Sequence, residues 1–97
     1  MKNITIIGTG YVGLVSGAGI SDFGHKVTCV DINEKIISSL NQGNIPIYEP
    51  GLKDLIERNV QAGRLLFSTE IGRMINNSEV VLIAVGTPQA EDDSADL

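Results

Sequence analysis

The stretch Ile4-Thr5-Ile6-Ile7-Gly8-Thr9-Gly10-Tyr11-Val12-Gly13 decides the fold of this chain. A short apolar, β-branched run leads straight into a Gly-x-Gly-x-x-Gly turn, and Asp31 closes the next apolar run 18 residues after the third glycine. Strand, glycine turn, helix, strand and acid in that order predict a dinucleotide-binding unit. Each part has a physical task. Gly8 permits the tight turn out of the strand, Gly10 leaves the backbone open to a pyrophosphate, and Gly13 lets the helix lie close to the sheet. The helix N-terminus then offers free N–H groups and the positive end of its dipole to phosphates. Gly8, Gly10, Val12 and Gly13 are thereby candidate cofactor contacts, and Tyr11 either flanks the cofactor or covers the helix start.

The acid has two readings. Asp31 accepts hydrogen bonds from the adenosine ribose hydroxyls, or it is a strand-end carboxylate facing water. On the first reading it selects the cofactor. A 2′-phosphate would meet charge repulsion, and the residues that follow, Ile32 and Asn33, supply no arginine to receive it. That pattern favours NAD over NADP. Lys35 is either a further cofactor contact or a solvated helix residue.

Working outward, residues 3–7 form a buried parallel strand, followed by a helix from Tyr11 to Phe23 that ends at Gly24. Gly13 and Gly17 lie one turn apart and can share the face that meets the sheet, whereas nothing in the pattern accounts for Gly19. Lys26 to Asp31 form the second strand. Asn33 caps a helix to Asn41, with Ile36, Ile37 and Leu40 as its apolar stripe, and Gly43 ends it. The segment Asn44-Ile45-Pro46-Ile47-Tyr48-Glu49-Pro50-Gly51 is a turn-rich connector. A helix from Leu52 to Gln61 buries Leu52, Leu55 and Ile56, with Val60 at its margin, and Gly63 closes it. Leu65 to Ser68 form a third strand, Ser68 or Thr69 caps a short helix through Ile75, and Glu79 to Val85 form the fourth. Gly86-Thr87-Pro88 then opens an acidic, alanine-containing loop.

Right-handed crossovers place these strands in the order 3-2-1-4. The fold class is α/β, the first half of a Rossmann-type parallel sheet with flanking helices. The switch point lies between strands 1 and 4, where the glycine turn and Gly86-Thr87-Pro88 both leave carboxyl ends, so a ligand should bind there. Gly86 and Thr87 join the candidate cofactor contacts.

Composition narrows the function further. The chain has 97 residues, a formal net charge of −5 and one cysteine. An extended basic surface for nucleic acid is not expected, and neither an intramolecular disulfide nor a cysteine-based metal cluster can form. No window approaches the roughly 20 apolar residues of a membrane span, and the start shows no signal-peptide pattern. A cytoplasmic location is the expectation. Cys29 lies inside a strand with no histidine or cationic cluster to activate it, so it reads as core packing. His25 reads as a solvent-facing turn residue. Glu91, Asp92, Asp93 and Asp96 match no calcium-loop spacing and read as a solvated acidic loop. No residue is assigned a catalytic or metal-binding role.

Several segments together resemble the UDP-glucose 6-dehydrogenases among the nucleotide-sugar dehydrogenases. They are Gly8 through Gly17, Val30-Asp31-Ile32-Asn33, Ile45-Pro46-Ile47-Tyr48-Glu49-Pro50-Gly51-Leu52, Val85-Gly86-Thr87-Pro88 and Ala95-Asp96-Leu97. The glycine motif is moderately specific. The Tyr-Glu-Pro-Gly-Leu connector with Val-Gly-Thr-Pro is more so, and it favours UDP-glucose enzymes over relatives acting on UDP-N-acetylmannosamine or GDP-mannose. The resemblance implies an NAD-dependent oxidation of the sugar C6 alcohol to a carboxylate in two hydride transfers, supplying uronic acid for polysaccharide synthesis. It also implies a homo-oligomer, and a catalytic cysteine whose motif Cys29 does not match and whose equivalent lies beyond residue 97. Gly8 to Gly13, Asp31 and Thr87 match the family's NAD contacts. One departure stands out. The family commonly carries a basic residue five positions after the acid, where this chain has Ile36, with Lys35 one position earlier and rotated by about 100° on the helix.

A complete domain of this type has about six strands. The chain is therefore expected to be a partial N-terminal NAD-binding domain, with the catalytic and substrate-binding parts, and so the contact with UDP-glucose, lying elsewhere. It is not expected to catalyse by itself. The alternatives are a non-catalytic NAD-binding regulatory module on the same fold, another nucleotide-sugar dehydrogenase acting on UDP-N-acetylmannosamine or GDP-mannose, and another NAD oxidoreductase such as a hydroxyacid dehydrogenase, against which the connector argues.

Overall fold

The computed structural model describes residues 2–46 and 49–84. Eight elements follow one another: β1 (Asn3–Ile7), α1 (Tyr11–Asp22), β2 (Lys26–Val30), α2 (Glu34–Asn41), α3 (Pro50–Gln61), β3 (Leu65–Ser68), α4 (Ile71–Asn76) and β4 (Val80–Ile83). The four strands form one sheet in the order β3-β2-β1-β4, and every adjacent pair is parallel. This is the expected Rossmann half-sheet.

The register sorts the side chains onto two faces. Ile4 pairs with Val27 and Val80, and Ile6 with Cys29 and Leu82, while Val27 and Cys29 pair with Leu65 and Phe67. This apolar face carries the core, where Leu14 and Ala18 of α1, Ile37 and Leu40 of α2 and Ile56 of α3 cluster with Ile4, Ile6, Val27, Cys29, Leu65 and Phe67. The opposite face carries Thr5, Thr28 and Leu66, in register with one another. On it the Thr5 hydroxyl donates to the Met74 carbonyl of α4 at 3.2 Å and shares a short hydrogen bond with the Ser78 hydroxyl. Hydroxyls suit a face that a short helix touches through its backbone, because each buried polar atom needs a partner.

Helix ends follow local chemistry. The Asn33 side chain accepts from the backbone N–H groups of Lys35 and Ile36, capping α2 as expected. Helix α1 stops at Phe23 because Gly24 takes a φ of +106°, which side chains with a Cβ rarely adopt. Gly43 and Gly63 close α2 and α3 in the same way.

Several boundaries differ from expectation. Helix α3 begins at Pro50 rather than Leu52, since proline at the first helical position loses no hydrogen bond there. Val60 is exposed and Asn59 fully buried. The Asn59 amide donates to the Asp22 carboxylate and the Leu55 carbonyl, and its oxygen accepts from Arg64. That set of partners satisfies the buried amide. Neither Ser68 nor Thr69 caps α4, which starts after Glu70 without a side-chain cap; the Ser68 hydroxyl instead accepts from the Glu70 N–H in the preceding turn. Strand β2 ends at Val30 and β4 spans Val80–Ile83, while Val85 to Leu97, with the acidic loop, lie outside the described residues. Among the described residues, no helix is long and apolar enough to cross a membrane.

Candidate cofactor site

Gly8 leaves β1 with a φ of +119°, and its N–H donates to the Val30 carbonyl at 2.8 Å, which ties the turn to β2. Helix α1 then starts on Gly10 with no side-chain cap and no acid in its first turn. An uncapped helix start leaves donors and a positive dipole end for an anion. A Cβ added at Gly10 would meet nothing within 4 Å, so the space above this backbone is open. A Cβ at Gly13 would lie 2.2 Å from the Gly8 carbonyl oxygen. Gly13 thus makes room for the turn itself, and the helix–sheet approach is made at Gly17, whose added Cβ would fall 2.9 Å from Cys29 Sγ. Tyr11 and Val12 are exposed at the helix start, at 59% and 62%.

Asp31 follows β2 directly, and its N–H donates to the Ser68 carbonyl. Its carboxylate is held at both oxygens. The Asn33 N–H donates to Oδ1 at 3.0 Å and the Thr9 hydroxyl donates to Oδ2 at 2.8 Å. The Asn33 backbone donor, helped by Thr9 and by the Ile32 N–H, outweighs partial burial and keeps the carboxyl below the usual carboxylate range. An ionised carboxylate has about four acceptor sites, and the hydrogen bonds from the Asn33 N–H and the Thr9 hydroxyl occupy one on each oxygen. Thr9 itself was not singled out by the sequence reading. Its signal was a hydroxyl at the second position of the glycine turn, a position the motif leaves open.

Glu49, at the start of α3, was also missed. Its carboxylate accepts from the Tyr11 hydroxyl at 3.0 Å, which raises the phenol pKa by favouring its protonated form. The connector and the helix start of the glycine turn therefore touch. Lys35 is exposed in the first turn of α2, where its backbone N–H is used by the Asn33 cap. Gly86 and Thr87 lie outside the described residues. Ala84, the last described residue before them, donates its N–H to the Ile7 carbonyl, and its Cβ is 3.7 Å from the position a Gly13 Cβ would occupy. The carboxyl end of β4 thus leaves beside the glycine turn.

Cys29 is fully buried, and desolvation pushes its thiol up to about 12. His25 is half-buried rather than solvent-facing, and its Nδ1 accepts from the Lys2 N–H.

The residues fit a dinucleotide. An open glycine backbone, an uncapped helix start and an ionised acid lie at the carboxyl ends of adjacent parallel strands. Fold and site together define a dinucleotide-binding domain of the dehydrogenase type. Over residues 2–97 the chain matches the UDP-glucose/GDP-mannose dehydrogenase family, NAD binding domain, and it belongs to that family. It is 55% identical over 97 residues to the UDP-glucose 6-dehydrogenase TuaD of Bacillus subtilis, covering all of this chain and 21% of that protein. It is likewise 55% identical over 95 residues to a UDP-glucose 6-dehydrogenase of Rhizobium meliloti, covering 97% of this chain and 22% of that one. Among solved structures, a UDP-glucose dehydrogenase of the archaeon Pyrobaculum islandicum superposes with a TM-score of 0.84 at 38% identity, over 95% of this chain and 21% of the other. A ternary complex of GDP-mannose dehydrogenase from Pseudomonas aeruginosa gives 0.81 at 43% identity, over 89% of this chain and 20% of that one. The chain thus spans about a fifth of the length of the relatives it matches.

Proposed function

We propose that these residues form the first half of the NAD-binding domain of a UDP-glucose 6-dehydrogenase. In this reading Gly8, Gly10, Tyr11, Val12 and Gly13 receive the pyrophosphate, Asp31 the adenosine ribose, and Gly86 and Thr87 close the other wall of the crevice. Lys35 stands at the rim, where its charge can approach the ribose. The substrate is UDP-glucose, oxidised at C6 to the carboxylate with two NAD reduced. Its contacts and the nucleophile belong to other parts of the protein, which forms a homo-oligomer. The observation that carries the reading is the 55% identity along the whole chain to two UDP-glucose 6-dehydrogenases. The buried Cys29 takes no part in the chemistry.

The test has two arms. Calorimetric titration of the full-length protein should show NAD bound in preference to NADP. Asp31→Ala should weaken NAD by about tenfold or more, as expected for lost hydrogen bonds to a charged group, and should erase the preference. Equal binding of the two cofactors by the unaltered protein would refute the role given to Asp31. In the second arm, NADH formation should reach two equivalents per UDP-glucose. Preferred turnover of GDP-mannose or UDP-N-acetylmannosamine would refute the substrate.

A further inference from the structure

We infer that Thr9 is a positioning residue: its hydroxyl fixes the plane of the Asp31 carboxylate, and through it the choice between a ribose 2′-hydroxyl and a 2′-phosphate. The inference rests on the reading of Asp31 as the ribose acceptor.

Thr9 occupies the second position of the glycine turn, which the turn geometry leaves free for any side chain. A polar residue placed there would ordinarily face solvent. Here it is only 5% exposed, and its hydroxyl donates to Asp31 Oδ2 at 2.8 Å. The second anchor of the carboxylate is the Asn33 N–H on Oδ1, at 3.0 Å. That bond comes from two residues further along the same loop, where the Ile32 N–H also favours the charged group, and the Thr9 backbone N–H adds to it from the glycine turn. Thr9 comes from a different element, the turn between β1 and α1, and engages the other oxygen. The two hydrogen bonds, on two oxygens and from two elements, hold the plane of the carboxylate. β-Branching restricts χ1 of Thr9 as well, so the donor is itself held.

Fixing the plane matters because terminal carboxylate torsions are broad. A carboxylate that swings can retreat from a phosphate and soften the repulsion that rejects NADP. One that is pinned keeps its remaining lone pairs towards a diol and its charge in the path of a 2′-phosphate. The same bond ties the turn that faces the pyrophosphate to the acid that faces the ribose. The two halves of the adenosine diphosphate are thereby recognised by one connected unit.

Thr9→Val keeps the shape and the β-branch and removes the donor, and Thr9→Ser returns the hydroxyl. Titrated calorimetrically with NAD and with NADP in the full-length protein, Thr9→Val should weaken NAD by about tenfold and bring the two affinities closer together. Thr9→Ser should recover most of both. A merely structural hydroxyl would instead lower the unfolding temperature and leave the NAD-to-NADP ratio where it was, and that result overturns the inference. If the valine variant does not fold, Thr9→Ala takes its place: the ratio must narrow, and an unchanged ratio overturns the inference equally. Asp31→Ala, run alongside, separates the two levels. If it leaves the ratio unchanged, the reading of Asp31 has failed. If it abolishes the preference and loss of the Thr9 hydroxyl does not alter it, only the role of Thr9 has failed.

Discussion

Gly10 and Gly13 stand three residues apart in one motif, yet their missing Cβ atoms serve different ends. At Gly10 the added atom would stand in open space, with backbone angles of −74° and −171° that alanine adopts without strain. At Gly13 it would strike the Gly8 carbonyl oxygen at 2.2 Å, and backbone cannot yield as a flexible side-chain end can. The two alanine variants should therefore separate binding from folding. Gly10→Ala is expected to unfold at the temperature of the unaltered protein and to lose NAD binding in calorimetry. Gly13→Ala should lose about 1–3 kcal/mol of stability in denaturant unfolding, the range typical of overpacking. A Gly10→Ala variant that binds NAD normally would remove the pyrophosphate from this turn. The glycine pattern was legible because its physics is local. The hydroxyl of Thr9 was not, because its partner Asp31 is distant in sequence and meets it only once β1 and β2 are paired.

At the scale of the element, α1 carries two interior glycines that look alike in sequence and differ in surroundings. An added Cβ at Gly17 would fall 2.9 Å from Cys29 Sγ and 3.2 Å from Leu65 Cδ1, both in the core, whereas at Gly19 it would meet nothing within 4 Å. Gly17→Ala is accordingly expected to destabilise by about 1–3 kcal/mol, because the crowded neighbours belong to a packed sheet face. Gly19→Ala should stabilise by roughly 0.5–1 kcal/mol through helix propensity alone. Thermal unfolding of the two variants checks both signs; a destabilised Gly19→Ala would mean that this face of α1 is covered. One-turn spacing made the role of Gly17 readable in advance, and the continuous apolar runs gave the bounds of β1 and β3, while β2 ends one residue earlier than the run and β4 starts one residue later. The inner face of α3 was misread for the converse reason. An amide such as Asn59 looks like a surface residue until Asp22, from the end of α1, and Arg64, from the turn after α3, arrive as its partners.

For the molecule as a whole, the sheet is asymmetric. Among the described residues β3 and β4 are both edge strands, pairing only with β2 and β1 respectively, but β3 buries Leu65 and Phe67. All four residues of β4 are apolar and exposed, Ile83 to 74%. An exposed apolar strand edge is a template for a further strand, and here it is four residues long. The 97-residue chain on its own is therefore expected to self-associate through β4, and its formal net charge of −5 works against this only at long range. Added salt screens that repulsion over roughly 10 Å or less, so association seen by light scattering should rise with ionic strength. Ile83→Lys isolates the cause. Lysine at a strand edge disfavours pairing, yet here it also makes the net charge less negative, which by charge alone would favour association. A fall in apparent mass for Ile83→Lys thus assigns the contact to the edge. A chain that stays monomeric at high concentration, or a lysine variant that associates more strongly, would place the contact elsewhere.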